Sequence, residues 1–577
     1  MQIQFVGATE RVTGSCTWMK YQQTGIEFLI DCGMVQGELH ERYENNKEFP
    51  FKPRNIKFVL LTHAHLDHCG LIPRLYNEGF VGKVICTNAT ARLAKEILID
   101  SAKQSKGLYS ERDVYKIEFE PLDFRRDFKW AKPIPLDKDL FVYFQRSAHI
   151  LGSASIGLIW NKNDQEQNDI LFTGDIGNNT ETNPFQPLLK YRQKPYQTLK
   201  NIVIESTYGN REHSHENLSF DKRIELLESH VNHTLAENEG QLIIPAFSLH
   251  RTQEILFDLY YLFQIKWKNN PIKVWQSPRP ELDDKEYDEY IASIESIDPE
   301  ILNNLYIMND SKKYKLNPNY KDIKIKAIFP VQVIWDSPLA RKISNIYAEE
   351  LCRSEYNEKD GIRKYPYRNH KMNEWLSIGD DELNDLMQEL YTNNKLQIGM
   401  HSIKYQDSKV TKSRPCVIIT SSGMCDKGPV LEHLKRVLKD SKNTVLLTGY
   451  QSSGSNGSFL LSLSNMNVDE KESRFIQIEE MKITACEINA RIEKIGGYSG
   501  HTDQNGLLDY LFTNDEKRKY TVPNIFINHG SNDARNSLKN AIHSYSNSIF
   551  QYYFEEEIDE NDVVTPTLDN QFFDLDL

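Results

Sequence analysis

No CxxC pair occurs in the 577 residues, and the eight cysteines (Cys16, Cys32, Cys69, Cys86, Cys352, Cys416, Cys425 and Cys486) are scattered along the chain. That spacing, in a chain of this length, excludes a small disulfide-stapled scaffold and makes reduced, packed thiols the expectation. Also missing is any stretch approaching 18 uninterrupted apolar residues, so a membrane-spanning helix is not expected and no membrane partner is implied. Met1 to Phe5 shows no basic segment followed by an apolar one, and the expected location is cytoplasmic, or nuclear in a host with a nucleus. Basic residues are not in excess: 69 Lys and Arg face 82 Asp and Glu, a net charge of −13, which excludes a protein whose whole surface clings to nucleic acid. Internal repeats are likewise absent.

What is present reads as ordinary globular protein. Hydrophobic residues make up 39% and charged residues 26% of the chain, enough for several cores at roughly 150 residues per domain. The charge is unevenly spread. Nine acids and no base lie between Gln551 and Leu577, so the remainder is close to balance and a local basic groove stays open. This acidic tail is expected to be solvated and disordered. Sharper readings are that Gln571 to Leu577 docks a partner protein, or that the acids mimic a polyanionic substrate over that groove.

Short β-rich apolar runs recur, each followed at once by small or chemically able residues. Phe28-Leu29-Ile30 leads to Asp31, Phe58 to Leu61 leads to Thr62-His63, Ile170 to Phe172 leads to Gly174-Asp175, and Ile202 to Ile204 leads to Glu205. Val417 to Ile419 leads to Ser421-Ser422-Gly423, Val445 to Leu447 to Gly449, and Ile525 to Ile527 to Asn528-His529. Strand ends in an α/β layer structure hold site residues rigidly while the loop exposes them, and the seven junctions point to one shared site edge. Helices are expected between them, for example over Gly70 to Asn77 and Leu218 to Glu237, and the polar stretch from Ser277 to Tyr320 reads as a peripheral insertion.

The strongest signal is Thr62-His63-Ala64-His65-Leu66-Asp67-His68, directly after a buried-looking strand. Four imidazole and carboxylate groups crowded on one loop would repel or desolvate each other unless a cation organised them, and this donor set suits zinc or another borderline divalent ion.

His63-x-His65-x-Asp67-His68 resembles the signature of the metallo-β-lactamase superfamily. The resemblance implies that His63, His65 and His149 hold one zinc, that Asp67, His68 and His529 hold a second, and that Asp175 bridges both. Asp31 would be the carboxylate behind the ligands. Two Zn2+ per chain are implied, with Mn2+ as an alternative. Glu205-Ser206-Thr207-Tyr208-Gly209 is similar to the first motif of the β-CASP branch, the nucleases of this superfamily. The matches continue through Pro245 to Glu254, Asp336 to Ala340, Ser421 to Cys425, Gly449-Tyr450-Gln451, Gly497 to Asp503 and Ile527 to Gly530. The likeness reaches from Gly7 to Gly530. It is nearest to the RNA-cleaving members, among them the endonuclease subunit of the mRNA 3′-end cleavage machinery and its free-standing prokaryotic relatives.

The fold class so implied is α/β: a four-layer αβ/βα sandwich with an inserted α/β cap. Its first part is expected over 1–208, the cap over 209–497 with the insertion near 277–320, the completion over 498–550, and the acidic tail over 551–577. The implied activity is zinc-dependent endonucleolytic hydrolysis of RNA by a metal-bridging hydroxide, leaving 3′-hydroxyl and 5′-phosphate ends. In that family the imidazole matching His501 lies beside the scissile phosphate with the acid matching Glu205 behind it, which assigns His501 to protonation of the leaving oxygen. Asp67, Glu205 and His501 are therefore the expected catalytic set. Arg251, Ser337, Lys412, Arg414, Ser422 and Lys427 are weaker candidates for contacts to the RNA backbone. A DNA nuclease of the same superfamily and a catalytically silent scaffold subunit are the competing readings, and homodimer formation stays open. Departures from the family pattern include His250 in place of a Gly, Gly500 in place of an Ala and Ser531 in place of a Glu.

Overall fold

The computed structural model describes residues 1–37, 41–104, 107–162, 166–182, 185–196, 198–212, 219–269, 271–309, 313–357, 361–406, 415–452, 454–512, 523–553, 562–567 and 571–576. They fall into two compact units. The first comprises Met1–Leu218, Glu349–Met372 and Ser499–Leu577, and the second Ser219–Ala348 and Asn373–Tyr498.

The first unit is built on two seven-stranded sheets. In one, the strands Phe573–Asp574, Gln2–Phe5, Thr17–Tyr21, Ile26–Ile30, Ile56–Leu60, Lys83–Cys86 and Phe119–Pro121 lie side by side. In the other the order is Val563–Val564, Asn524–Asn528, Asn201–Glu205, Glu166–Phe172, Ala154–Lys162, Leu140–Arg146 and Ile134–Asp137. Their facing sides share one core, in which Ile3, Met19, Phe28 and Leu60 meet Val142, Phe144, Ile156 and Ile170. The outer face of the second sheet is covered by the helices Gln504–Leu511 and Asn532–Tyr553 through Leu507, Leu508, Leu538 and Ile542. Residues on both faces of the central strands are thus buried, which explains why these strands read as continuous apolar runs rather than alternating ones. The arrangement is the α/β sandwich expected from the sequence.

Two features differ from the expected boundaries. Glu349–Met372 interrupts the second unit and belongs to the first. Glu350 accepts hydrogen bonds from Asn88 and Arg92, Tyr367 and Arg353 both reach the carboxylate of Asp123, and Leu189 and Arg368 form an isolated β-bridge. The second is the tail. Its described residues are not a loose appendage: Val563–Val564 and Phe573–Asp574 each add an edge strand, one to each sheet. Phe573 packs edge-on against Phe5 and Phe526, and Phe572 against Trp18. Asp576 accepts hydrogen bonds from the Met1 amino group and from Trp160 Nε1. The aromatic rings read from sequence as partner-docking residues are thus occupied within the unit, because an apolar pair flanked by acids can pair on a sheet edge as readily as on a partner. Most of the acids, Glu555 to Glu560 among them, lie outside the described residues.

The second unit has a seven-stranded sheet in the order Lys395–Ile398, His401–Tyr405, Gln332–Asp336, Cys416–Thr420, Gln241–Pro245, Thr444–Leu447 and Arg491–Lys494. All neighbours are parallel except the first pair. The helices Phe220–Val231, Arg251–Tyr261, Asp380–Thr392 and Val430–Val437 belong to it. The stretch read as an insertion, together with the strands Lys273–Gln276 and Ile325–Ile328 that flank it, forms two three-stranded sheets around a core of Leu282, Tyr290, Leu305, Tyr306, Ile325 and Ala327. Among the described residues no helix is long and apolar enough to cross a membrane.

Candidate metal centre

Five of the seven strand-end junctions come together in the first unit; the Ser421 and Gly449 junctions belong to the parallel sheet of the second, so a single shared edge does not describe them. The strand Ile56–Leu60 delivers Thr62 and His63, after which the chain turns through His65 into the short helix Leu66–Cys69, carrying Asp67 and His68. The other sheet supplies Asp175 after Glu166–Phe172, Glu205 at the end of Asn201–Glu205, and His529 after Asn524–Asn528. His149 comes from the turn between Leu140–Arg146 and Ala154–Lys162.

The imidazoles face inward at close range. His65 Nδ1 lies 3.1 Å from both His63 Nε2 and His149 Nε2, and His68 Nε2 lies 3.1 Å from His529 Nε2. Asp175 stands between the two groups. Its Oδ2 is 3.3 Å from His63 Nε2 and from His149 Nε2, while its Oδ1 is 3.3 Å from His68 Nε2 and 3.5 Å from His529 Nδ1. Asp67 Oδ2 is 3.6 Å from His529 Nε2. The geometry therefore gathers two donor sets, one of His63, His65, His149 and Asp175 and one of Asp67, His68 and His529. A third set, Asp175, Glu205 and His501, adjoins them.

The outer atoms of the rings are held in ways that turn the inner nitrogens toward the centre. His68 Nδ1 is 2.7 Å from Asp31 Oδ2, and the same carboxylate accepts the Thr62 backbone N–H and Oγ1–H. His149 Nδ1 is 2.9 Å from the Gly500 carbonyl, which can only accept. That bond puts the proton on Nδ1 and leaves the Nε2 lone pair for a ligand. His529 Nδ1 is 3.2 Å from Thr207 Oγ1. Thr62 and Thr207 carry no signal of their own in the sequence; only their adjacency to Asp31, His63 and His529 reveals their role.

Burial first, and neighbouring imidazoles second, push His63 and His65 well below the usual histidine range. Burial and His501 together press His149 down to about 4. Burial works against ionisation of Asp175, but His529, His68 and His63 hold it well below the usual carboxylate range. For these four residues the states are the neutral imidazole and ionised carboxylate that a cation requires of its ligands; His68 goes the other way, because its burial is outweighed by Asp175 and Asp31, which pull it well above the usual histidine range. The fit to a divalent ion is carried by one further atom: Asp175 Oδ1 is buried and makes no hydrogen bond among the described residues. A buried carboxylate oxygen without a hydrogen bond is costly in a protein interior, and the N and O donors around it suit zinc or a similar ion.

His501 is placed beside this cluster. Its Nδ1 lies 3.0 Å from Glu205 Oε2 and its Nε2 3.9 Å from Asp175 Oδ2. Glu205 is buried and also accepts the Ile176 N–H. Desolvation opposes charging His501, but Glu205, with Asp175 behind it, overcomes this and pushes the imidazole up to about 9.

The weaker RNA-contact candidates fare unevenly. Arg251 is buried, pairs with Glu254 and stacks toward Tyr498, next to an Arg223–Asp258 pair at 2.9 Å. Its guanidinium serves an internal ion network, so Arg251 is not a phosphate contact on an open surface. Ser337 is buried and its Oγ accepts the Ala340 N–H. Ser422 Oγ is buried with no hydrogen-bond partner among the described residues, and Lys427 is exposed. Lys412 and Arg414 lie outside the described residues.

Comparison with known proteins agrees with this geometry. Residues 10–189 match the profile of the metallo-beta-lactamase superfamily, residues 305–460 that of the Beta-Casp domain, and residues 486–557 that of a Zn-dependent metallo-hydrolase RNA specificity domain. The chain is 26% identical over 518 residues to ribonuclease TTHA0252 of Thermus thermophilus, covering 89% of this chain and 90% of that one. It is 27% identical over 518 residues to an RNase J-like protein of Methanocaldococcus jannaschii, covering 88% and 89%. To the transcription termination factor FttA of a Lokiarchaeum species it is 23% identical over 553 residues, covering 94% and 69%. The chain belongs to the metallo-β-lactamase superfamily of metal-dependent hydrolases and, within it, to the β-CASP branch.

Proposed function

We propose that this protein is an endoribonuclease that binds two zinc ions and hydrolyses RNA phosphodiester bonds to 3′-hydroxyl and 5′-phosphate ends. His63, His65, His149 and Asp175 hold one ion, and Asp67, His68, His529 and Asp175 the other. One observation carries the substrate assignment: the segment matched by an RNA specificity domain, residues 486–557, supplies both His501 and His529, and both side chains stand in the cluster around Asp175. The ribonuclease among the relatives, aligned over most of both chains, supports the same reading.

When bound, a pair of divalent cations supplies a water that ionises near neutral pH and positive charge for the phosphoryl oxygens. The chain's own residues do the rest. Asp31, Thr62, Thr207 and the Gly500 carbonyl orient the imidazoles before any substrate arrives, so no reorganisation is needed during the reaction. His501, gripped at Nδ1 by Glu205, presents its Nε2–H toward the cluster and donates that proton to the departing ribose oxygen.

The test is cleavage of matched single-stranded RNA and DNA 20-mers by zinc- or manganese-loaded protein, with both product ends mapped. RNA cut internally with 5′-phosphates on the new ends is the expected result. Preferential DNA cleavage would overturn the RNA assignment, and inactivity on both in fully metallated protein would overturn the nuclease reading.

A further inference from the structure

The second unit carries an aromatic surface that its core does not need. Its parallel strands end in register, with Pro245 beside Thr420 and Thr420 beside Asp336. The residues that follow, Phe247, Ser337, Ser422 and Gly449, therefore share the carboxyl edge of one sheet, the edge at which open α/β sheets bind ligands. Ala246 and Leu249 on either side of this turn are buried, yet Phe247 is 38% exposed. Its ring rests on two glycines. A Cβ at Gly423 would stand 3.2 Å from two ring carbons, tight enough to crowd the ring, and one at Gly449 would meet the nearer of them at 3.4 Å, in ordinary contact. Its backbone is pinned, because the Thr252 N–H and Oγ1–H both donate to the Phe247 carbonyl. Tyr450, next after Gly449, is 49% exposed.

Polar groups suited to a phosphodiester backbone follow the same strand ends. Ser248 Oγ and Ser337 Oγ lie 3.1 Å apart. Ser422 Oγ is buried and lacks a hydrogen-bond partner among the described residues. The Ser422 N–H donates to the Lys427 carbonyl at 3.1 Å, so the exposed Lys427 ammonium rides on the same tight loop. The acid of that loop, Asp426, is turned to the Asn456 N–H at 2.7 Å. A rigid ring with one face on backbone, next to hydroxyls and a lysine, matches the chemistry of a stacked base with its flanking phosphates.

We propose that Phe247 is a base-stacking platform for single-stranded RNA, with the Ser248 hydroxyl and Lys427 serving the adjoining backbone. This rests on the ribonuclease reading above and adds a binding residue to it.

The test uses zinc-loaded full-length protein and a fluorescein-labelled, hydrolysis-resistant 12-mer of 2′-O-methyl phosphorothioate uridine, with an otherwise identical abasic 12-mer, read by fluorescence anisotropy. Stacking on one aromatic side chain implies that Phe247→Ala and Phe247→Leu weaken binding of the uridine oligomer by about 5- to 100-fold. Phe247→Tyr should stay within about threefold, and the abasic oligomer should bind all four proteins alike. Phe247→Leu keeps an apolar side chain over the two glycines and so guards against a loss through misfolding. Parent-like affinity in both Phe247→Ala and Phe247→Leu overturns the platform, as does an equal loss with the abasic oligomer. If those variants bind normally while the parent cleaves RNA, only the platform falls. If the parent neither binds the uridine oligomer nor cleaves RNA, the ribonuclease reading fails and takes the platform with it.

Discussion

Asp31 and His68 are joined by a 2.7 Å contact between carboxylate and Nδ1, with both residues buried. A group at a strand end and one on the short helix Leu66–Cys69 are thereby locked as one unit. The same carboxylate ties down Thr62 through its backbone N–H and its hydroxyl, so a single acid sets the start of the histidine-rich loop and the tautomer of a proposed ligand within it.

Replacing Asp31 with Asn should therefore act on metal affinity more than on the fold. An amide has one accepting oxygen and cannot serve the Thr62 N–H, the Thr62 hydroxyl and the His68 Nδ1–H as the two carboxylate oxygens do. Loss of such a partner typically lowers metal affinity by about 10- to 100-fold. Competition with a zinc-binding dye should show one site weakened in Asp31→Asn while circular dichroism stays that of the parent. Two sites of undiminished affinity would contradict the role given to Asp31.

Asp67 is the test of the proposed second ion. It is partly open to solvent and contributes no core packing, so Asp67→Asn is expected to fold normally and to lose RNA cleavage by at least about 100-fold, a loss on the scale of removing a principal electrostatic contribution to catalysis. Metal analysis should find close to one zinc per chain instead of two. Turnover near the parent level would contradict the two-ion assignment.

His401 predicts an acid sensitivity of the second unit. Its ring is buried, stacked 4.7 Å from Phe263 and tilted against Trp267 at 5.2 Å, and its Nδ1 accepts the Val331 N–H at 3.2 Å. Burial presses this histidine down to about 4. The unfolded chain takes up the proton below about pH 6.5 and the folded chain does not until about pH 4, so stability is full above the first value and falls as pH drops toward the second. Between pH 7 and pH 5 the loss is about 2 kcal/mol. His401→Asn keeps an acceptor for Val331 and should flatten the melting temperature against pH over that interval; an unchanged slope would show that His401 is not the cause.

Phe573 should matter to stability. It closes the edge beside Gln2–Phe5 and packs on Phe5 and Phe526. Phe573→Ala is expected to cost roughly 2 kcal/mol, the lower range for truncating a large side chain that is only part-buried, measured by urea unfolding. For the same reason, deleting everything from Gln551 onward removes two edge strands along with the acids, and any change in RNA affinity in such a deletion would not report on charge alone.

Sequence by itself determined where the chemistry begins. Apolar runs ending in Asp31, His63, Asp175, Glu205 and His529 are short-range patterns, because a strand announces itself within five or six residues and a ligand cluster within seven. They suffice to place those strands and the histidine-rich loop, while the sandwich and its α/β cap are what the resemblance to the metallo-β-lactamase superfamily implies. The tertiary structure alone decided what depends on distant partners. Glu349–Met372 returns to the first unit because Asp123 and Glu350 have partners there, some 230 to 260 residues away along the chain. Arg251, basic and apparently available in a linear reading, turns inward to Glu254 because two acids buried on its helix need cations. The Thr207 hydroxyl finds His529 across 322 positions. Local periodicity encodes elements, whereas the partner of a buried charge or hydroxyl is chosen by which strands the whole fold sets side by side.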